Sequence, residues 1–221
     1  MTRIICLANS WKCGNRCIAG IHTIKHKWVR AISNLPDGGV PASMRLIDSR
    51  EPALLDVIDI PLDKTGSDFG FECENLGILP GKWRLTGKVP PGYLLKFCSH
   101  EPYILHNDKR YVTVGYLQYL PFNERQTLQL VKTDQFSVEC VRRRRDKSPI
   151  WEGRIVAENG SQLTASITDP VLVHKLELGY RPGDSCLVTV SLSMPWKPSD
   201  WEEDEQPCWK LIAGVIELPK G

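Results

Sequence analysis

Apolar positions in this chain come in short runs with a period near two, and Gly, Pro, Asn or Asp ends each run within a few residues. The runs rich in β-branched and aromatic residues are Cys17–His22, Trp28–Ser33, Leu54–Leu62, Tyr93–Cys98, Tyr111–Tyr119, Thr127–Val131, Phe136–Arg142, Arg154–Ala157, Gln162–Thr168, Ser185–Ser193 and Trp209–Leu218. Such lengths and punctuation predict strands of β-sandwiches or small barrels. Helical periodicity is hard to find, and 16 prolines with 17 glycines leave few uninterrupted stretches for it. The chain reads as all-β.

Turn chemistry agrees. Glu158-Asn159-Gly160-Ser161 sets Asn-Gly between two strand runs, a strong hairpin signal. Pro36-Asp37-Gly38-Gly39 and Arg181-Pro182-Gly183-Asp184 are further turns, the second leading into Cys186 and its apolar run. Leu163–Pro170 and Val188–Pro195 share an alternating apolar and hydroxyl pattern closed by proline, which predicts two similar strands in one C-terminal unit. The polar turn His106-Asn107-Asp108-Lys109 divides the chain into 1–106 and 107–221, each of ordinary small-domain size.

Composition narrows the class. Hydrophobic residues make up 42% and charged residues 24%, as in a globular protein. No apolar run approaches the ~20 residues of a membrane span, and Ile4–Ala8 is too short for a signal-peptide core. A cytoplasmic location without membrane contact is expected. Eight cysteines include no C-x-x-C pair, so most read as small buried hydrophobes. The net charge of +2 hides an asymmetry. Residues 1–36 hold Arg3, Lys12, Arg16, Lys25, Lys27 and Arg30 with no acid, whereas Asp200, Glu202, Glu203, Asp204 and Glu205 crowd around Trp201.

The stretch CLANSWKCGNRCIAGIHTIKHKW admits two readings. Cys13, Cys17, His22 and His26 offer four zinc-ligand types at short spacing. The same residues fit a hairpin in which Cys17–His22 is a strand. Five positions apart on a strand, Cys17 and His22 leave opposite faces, so the hairpin is preferred and no metal is expected.

Ile4-Ile5-Cys6-Leu7-Ala8-Asn9-Ser10 with Arg16-Cys17-Ile18-Ala19-Gly20 resembles the start of the dual OB-containing domain family of prokaryotes. Lys27-Trp28-Val29-Arg30, Leu54–Val57, Val190-Ser191-Leu192 and Lys210–Gly214 look like its later landmarks. The resemblance implies two OB-like barrels in tandem. It also implies a setting beside anti-phage and mobile-element conflict genes, with nucleic-acid binding inferred from the fold and no catalytic residues to transfer.

OB barrels track phosphates with Lys and Arg and stack bases on aromatic rings. Trp11 and Trp28 are the candidate stacking residues, with Lys12, Arg16, Lys25, Lys27 and Arg30 on the phosphates. Arg142, Arg143, Arg144, Arg145 and Lys147, in a loop between strand runs, form a second anionic-ligand anchor. A competing partner is a protein docking on Trp196, Asp200, Trp201, Glu202, Glu203, Asp204 and Glu205. No P-loop, G-x-S-x-G, H-E-x-x-H or G-x-G-x-x-G motif is present. His100-Glu101 and His174-Lys175 are the other histidine contexts, and neither stands near a second acid or nucleophile in a familiar spacing. The expected function is a non-catalytic, weakly sequence-specific nucleic-acid-binding accessory module. It needs no cofactor, favours single strands and serves an effector protein; a protein adaptor is the alternative.

Overall fold

The computed structural model describes residues 1–143, 148–199, 201–202 and 204–219. Its strands form two sheets, of six and seven strands. In the first, β1 (Thr2–Lys12), β2 (Asn15–His22) and β3 (Trp28–Ile32) are an antiparallel meander. The helical turn α1 (Ala42–Arg45) follows; β4 (Asp56–Ile60) then pairs antiparallel with β1, and β5 (Asn75–Gly77) runs parallel to β3. Strand β6 (Arg84–Lys88) adds outside β4. Just past β4 and β5, Leu62 bridges Ile78, with Asp63 N–H on Gly77 O (2.8 Å) and Leu79 N–H on Pro61 O (2.8 Å). The sheet thereby curls into a five-stranded ring.

The second half repeats this connectivity. Strand β7 (Tyr111–Thr113) and helix α2 (Val114–Tyr119) precede β8 (Leu128–Thr133). Then come β9 (Ser137–Arg142), β10 (Pro149–Val156), β11 (Gln162–Ile167), helix α3 (Pro170–Glu177), β12 (Cys186–Leu192) and β13 (Pro207–Glu217). Around the ring, β8 meets β10 through Thr133 and Ala157, β10 pairs with β11, β11 runs parallel to β13, and β12 links β13 back to β8. Taking β8, β10, β11, β12 and β13 as strands one to five, both halves run one–two–three–five–four with three and five parallel. Helices α1 and α3 occupy the same place, between strands three and four. The expected all-β architecture of two OB-like barrels is what forms.

Each barrel has its own core. Ile4, Cys6, Ile18, Val29, Ile58 and Trp83 fill the first; Val112, Phe136, Ile155, Val188 and Ile212 fill the second. A third apolar layer lies between them: Ile5, Leu7 and Ile21 of the first barrel meet Leu130, Leu187 and Ile216 of the second, with Ala8, Ala19, Leu128 and Ala213 alongside. This explains the unbroken Ile4–Ala8 run, because a strand buried on both faces loses its alternation. A bulge between Cys6 and Ala8 answers one between Thr189 and Val190. Where β1 meets β13, a Cβ at Gly214 would sit 2.4 Å from Leu7 O, so only glycine allows that approach. Between Lys88 and Tyr111 the chain serves both units, with Leu94 in the shared layer and Ile104 and Leu105 in the second core.

Two expected strand runs give way to helix, and a third helix is new. Tyr93–Cys98 forms the 3-10 helix Pro91–Phe97, started by proline at its first position. The Tyr111–Tyr119 run splits after β7, where Thr113 accepts the Tyr116 N–H and opens α2. Helix α3 was not foreseen: Pro170 ends β11's run but also begins the helix, and Asp169 caps it by accepting from Val171 and Leu172. The Asn159-Gly160 hairpin forms between β10 and β11 as expected, and the two echoing segments become β11 and β12, which flank β13 on either side.

Candidate nucleic-acid interface

OB barrels take ligands across the outer face of strands two and three, flanked by the one–two and four–five loops. In the first barrel that face is closed. Val29 and Ala31 point into the core, so Trp28 and Arg30 point outward, beside Ile21 and Ala19 on β2. All four meet the second barrel. Trp28 packs against the shared apolar layer, and Arg30 is 1% exposed. Its guanidinium pairs with Glu72 and donates to Thr127 Oγ1 at 2.9 Å. Glu74, also buried, accepts from Thr127 N (2.6 Å) and Oγ1 (3.0 Å). Burial is the largest single influence and lowers the Arg30 pKa; the Glu72 and Glu74 carboxylates and Cys17 together outweigh it and keep the guanidinium charged. Arg30 is therefore a buried junction residue, ion-paired to Glu72 within the first unit and hydrogen-bonded to Thr127 of the second, not a phosphate contact, and the Trp28 ring is packing.

The other N-terminal candidates are dispersed. Trp11 is 48% exposed at the end of β1, its N–H bonded to Thr168 O of the second barrel. Lys12 lies 5.8 Å from the Phe69 ring centroid, and half-buried Arg16 has its pKa lowered chiefly by desolvation. Lys25 and Lys27 are exposed in the β2–β3 loop, at the far end of β2, roughly 23 Å away at ~3.3 Å per residue. The length of β2 likewise parts Cys13 from the two histidines, with Cys17 between them on the strand. Cys13 occupies the tight β1–β2 turn with φ of 44°, followed by Gly14 at 81°. At the other end, His22 Nδ1 accepts from Ile24 and Lys25 N–H groups, and the His26 ring packs on the edge of Phe97. No group of three metal-ligating side chains comes together among the described residues.

In the second barrel the corresponding face is open. The contact with the first barrel uses β8, β12 and β13, which leaves the outer side of β10 and β11 clear. Gly153, Ile155, Leu163, Ala165 and Ile167 are buried, so Glu152, Arg154, Thr164 and Ser166 face outward. Strand β9 widens this surface beyond β10. Along β13, Trp209 and Leu211 continue it, Leu211 lying opposite Ser166. Trp209, Trp201 and Tyr111 form a cluster of nearly perpendicular or tilted rings with centroids 4.9–5.6 Å apart. The one–two loop of this barrel carries Arg142 and Arg143; the four–five loop carries the acidic, tryptophan-rich run. Two features singled out separately in the sequence thus flank one open face.

The sequence matches the profile of the dual OB-containing domain over residues 2–215. The chain belongs to the dual OB-containing domain family. No curated protein and no solved structure matches it.

Within this dual OB chain, Arg142 is exposed at the end of β9, and Arg143 N–H bonds Ser148 O at 2.9 Å. Arg144, Arg145 and Lys147 lie outside the described residues, as do Asp200 and Glu203. In the four–five loop, Trp196 is 54% exposed and Glu202, Asp204 and Glu205 face solvent. Backbone carbonyls hold the rings: Trp209 Nε1 donates to Trp196 O at 2.9 Å and Trp201 Nε1 to Glu205 O at 3.2 Å. The acidic run meets no arginine of the one–two loop in any described contact; Lys197 reaches Asp204 O instead. Arg110 pairs with Glu152, and Arg154 donates to Gln162 at 2.8 Å. The dual OB chain therefore presents Tyr111, Trp209, Arg110 and Arg154 on a face where sequence reading had selected none of them. Trp209 carried a signal: Cys208 points inward, and a period of two turns Trp209 out. Burial pushes the thiols of Cys6, Cys73, Cys186 and Cys208 up to about 12, so they remain protonated packing groups. No described helix is long and apolar enough to cross a membrane.

Proposed function

We propose that this protein is a non-catalytic nucleic-acid-binding module that holds a single strand on its second barrel and serves an effector of a prokaryotic conflict system. The strand lies across β10 and β11, anchored at one end by Arg142 and Arg143 and reaching the Tyr111–Trp209 rings at the other. One observation carries this reading: the open two–three face belongs to the barrel whose one–two loop holds the arginines, while its counterpart in the first barrel is buried. Phosphate contacts from a loop and ring stacking on a strand are the two components of sequence-tolerant single-strand binding. The carboxylates of Glu202, Asp204 and Glu205 repel a polyanion, which favours a path over β9–β11 rather than along the four–five loop.

The test is fluorescence anisotropy of labelled single-stranded DNA, duplex DNA and RNA across a salt series. It compares the wild type with a variant carrying Arg142→Ala and Arg143→Ala. The expected result is salt-sensitive binding whose log–log slope falls by about 1.4 in the variant, at ~0.7 per phosphate contact on single strands. Absence of binding at low salt overturns the reading. The exposed Trp196 beside three carboxylates supports a second one, an adaptor that docks a basic protein surface. It predicts loss of a partner on Trp196→Ala and no effect from the arginines.

A further inference from the structure

A cleft of about 400 Å³ opens between the 101–106 segment and the region from α2 to Gln126. Three rings line it: Tyr103 (46% exposed), Tyr116 (44% exposed) and His106. The His106 and Tyr116 rings meet edge to face, with centroids 5.6 Å apart and planes at 69°. Two carboxylates, Glu101 and Glu124, complete the wall, and among the described residues no Lys or Arg lines the cleft. Its floor is fixed. Gln129 accepts the Leu105 N–H and donates to Ser99 Oγ (2.7 Å) and Tyr103 O (3.3 Å), and His106 Nε2 bonds Gln126 O at 2.7 Å. Leu105 and His106 both hold positive φ, 49° and 71°, a conformation that non-glycine residues adopt at a cost and keep where surroundings enforce it.

We propose that this cleft binds an arginine side chain presented by a partner polypeptide. Aromatic faces attract a cation, and a planar guanidinium both stacks on rings and donates to carboxylates. The nearby cations do not supply that charge from within. Arg125 is committed to the carbonyls of Leu120, Gln118 and Gly70, and Lys210 is buried with its ammonium on Asn107. Burial lowers the His106 pKa and Lys210 adds to the effect, against the hydrogen bond to Gln126 O. The site is separate from the β10–β11 face, so it stands whether or not that face takes nucleic acid.

The experiment is an NMR titration of full-length labelled protein with N-acetyl-arginine amide, N-acetyl-lysine amide and N-acetyl-citrulline amide, together with an oligothymidylate arm. The expected result is saturable shifts at His106 and Tyr116 with the arginine probe, weaker ones with lysine and none with citrulline. Tyr116→Ala, and separately Glu101→Gln with Glu124→Gln, should each weaken arginine binding at least tenfold. These side chains are exposed, so the variants should keep the wild-type spectrum elsewhere. Equal response to citrulline, no response to arginine, insensitivity to both variants, or displacement of these resonances by the oligonucleotide instead would each overturn the proposal.

Discussion

Replacing Arg30 by methionine tests the junction between the barrels. The substitution keeps an unbranched side chain of similar reach but removes the cation paired with Glu72, which is itself 1% exposed. Thr127 loses a donor at 2.9 Å, and Glu74 loses the nearby charge that opposes its desolvation. Breaking a buried pair from one side costs about 3–5 kcal/mol, because the remaining carboxylate stays dehydrated and uncompensated. At about 2–4 °C per kcal/mol for a chain of this size, the melting temperature should fall by roughly 6–20 °C. Calorimetry at pH 7 measures it. The sign of the pH dependence is also fixed. Burial raises the Glu74 pKa above its unfolded value, so the unfolded chain binds fewer protons and stability from this group declines as pH rises. Without Arg30 the Glu74 carboxyl rises further, and the deficit of the variant should shrink as pH falls from 7 towards 5. Adding Glu72→Gln should recover part of the loss by removing the stranded charge. A melting temperature within about 2 °C of wild type, or a deficit that is flat with pH, would show that the pair is not the fastener described.

Other expectations follow from single contacts. Gly214→Ala should lower stability by about 1–3 kcal/mol, since its Cβ must push β13 away from Leu7 O; an unchanged urea midpoint would contradict that close approach. Trp209→Ala should weaken single-strand binding by about 1–3 kcal/mol, with anisotropy as the readout and calorimetry as the check on folding. Lys210 is depressed to about 8 by burial, so the wild type should gain stability between about pH 8 and pH 10.5 as the unfolded chain alone stays protonated. Lys210→Met should lack that gain, and parallel pH profiles for the two proteins would refute the assignment.

Much of the sheet structure was readable because half-buried strands write their period into the sequence and turns need particular residues. Strands β2, β3, β8, β11, β12 and β13 all fall on runs of that kind. Short helices escaped for a physical reason: α3 buries only Leu172, Val173 and Leu176, too few positions to establish a helical period. The two candidate loops were recognisable as unusual charge concentrations, but their placement on one barrel face required the ring connectivity. Arg30 shows the opposite limit. As one cation in an acid-free segment it looked like a surface residue, whereas its partners Glu72 and Thr127 stand 42 and 97 positions further along and carry no local sign of their destination.

The burial of the first barrel's two–three face has a consequence for valency. Two copies of a ligand-binding fold in one chain ordinarily gain avidity, because the second site engages at the high effective concentration set by the tether. Here one copy uses that face on its neighbour, so the tandem leaves one such face open. On the proposed reading, tight engagement of a long strand would depend on recruiting further chains along it, rather than on both barrels of one chain gripping together.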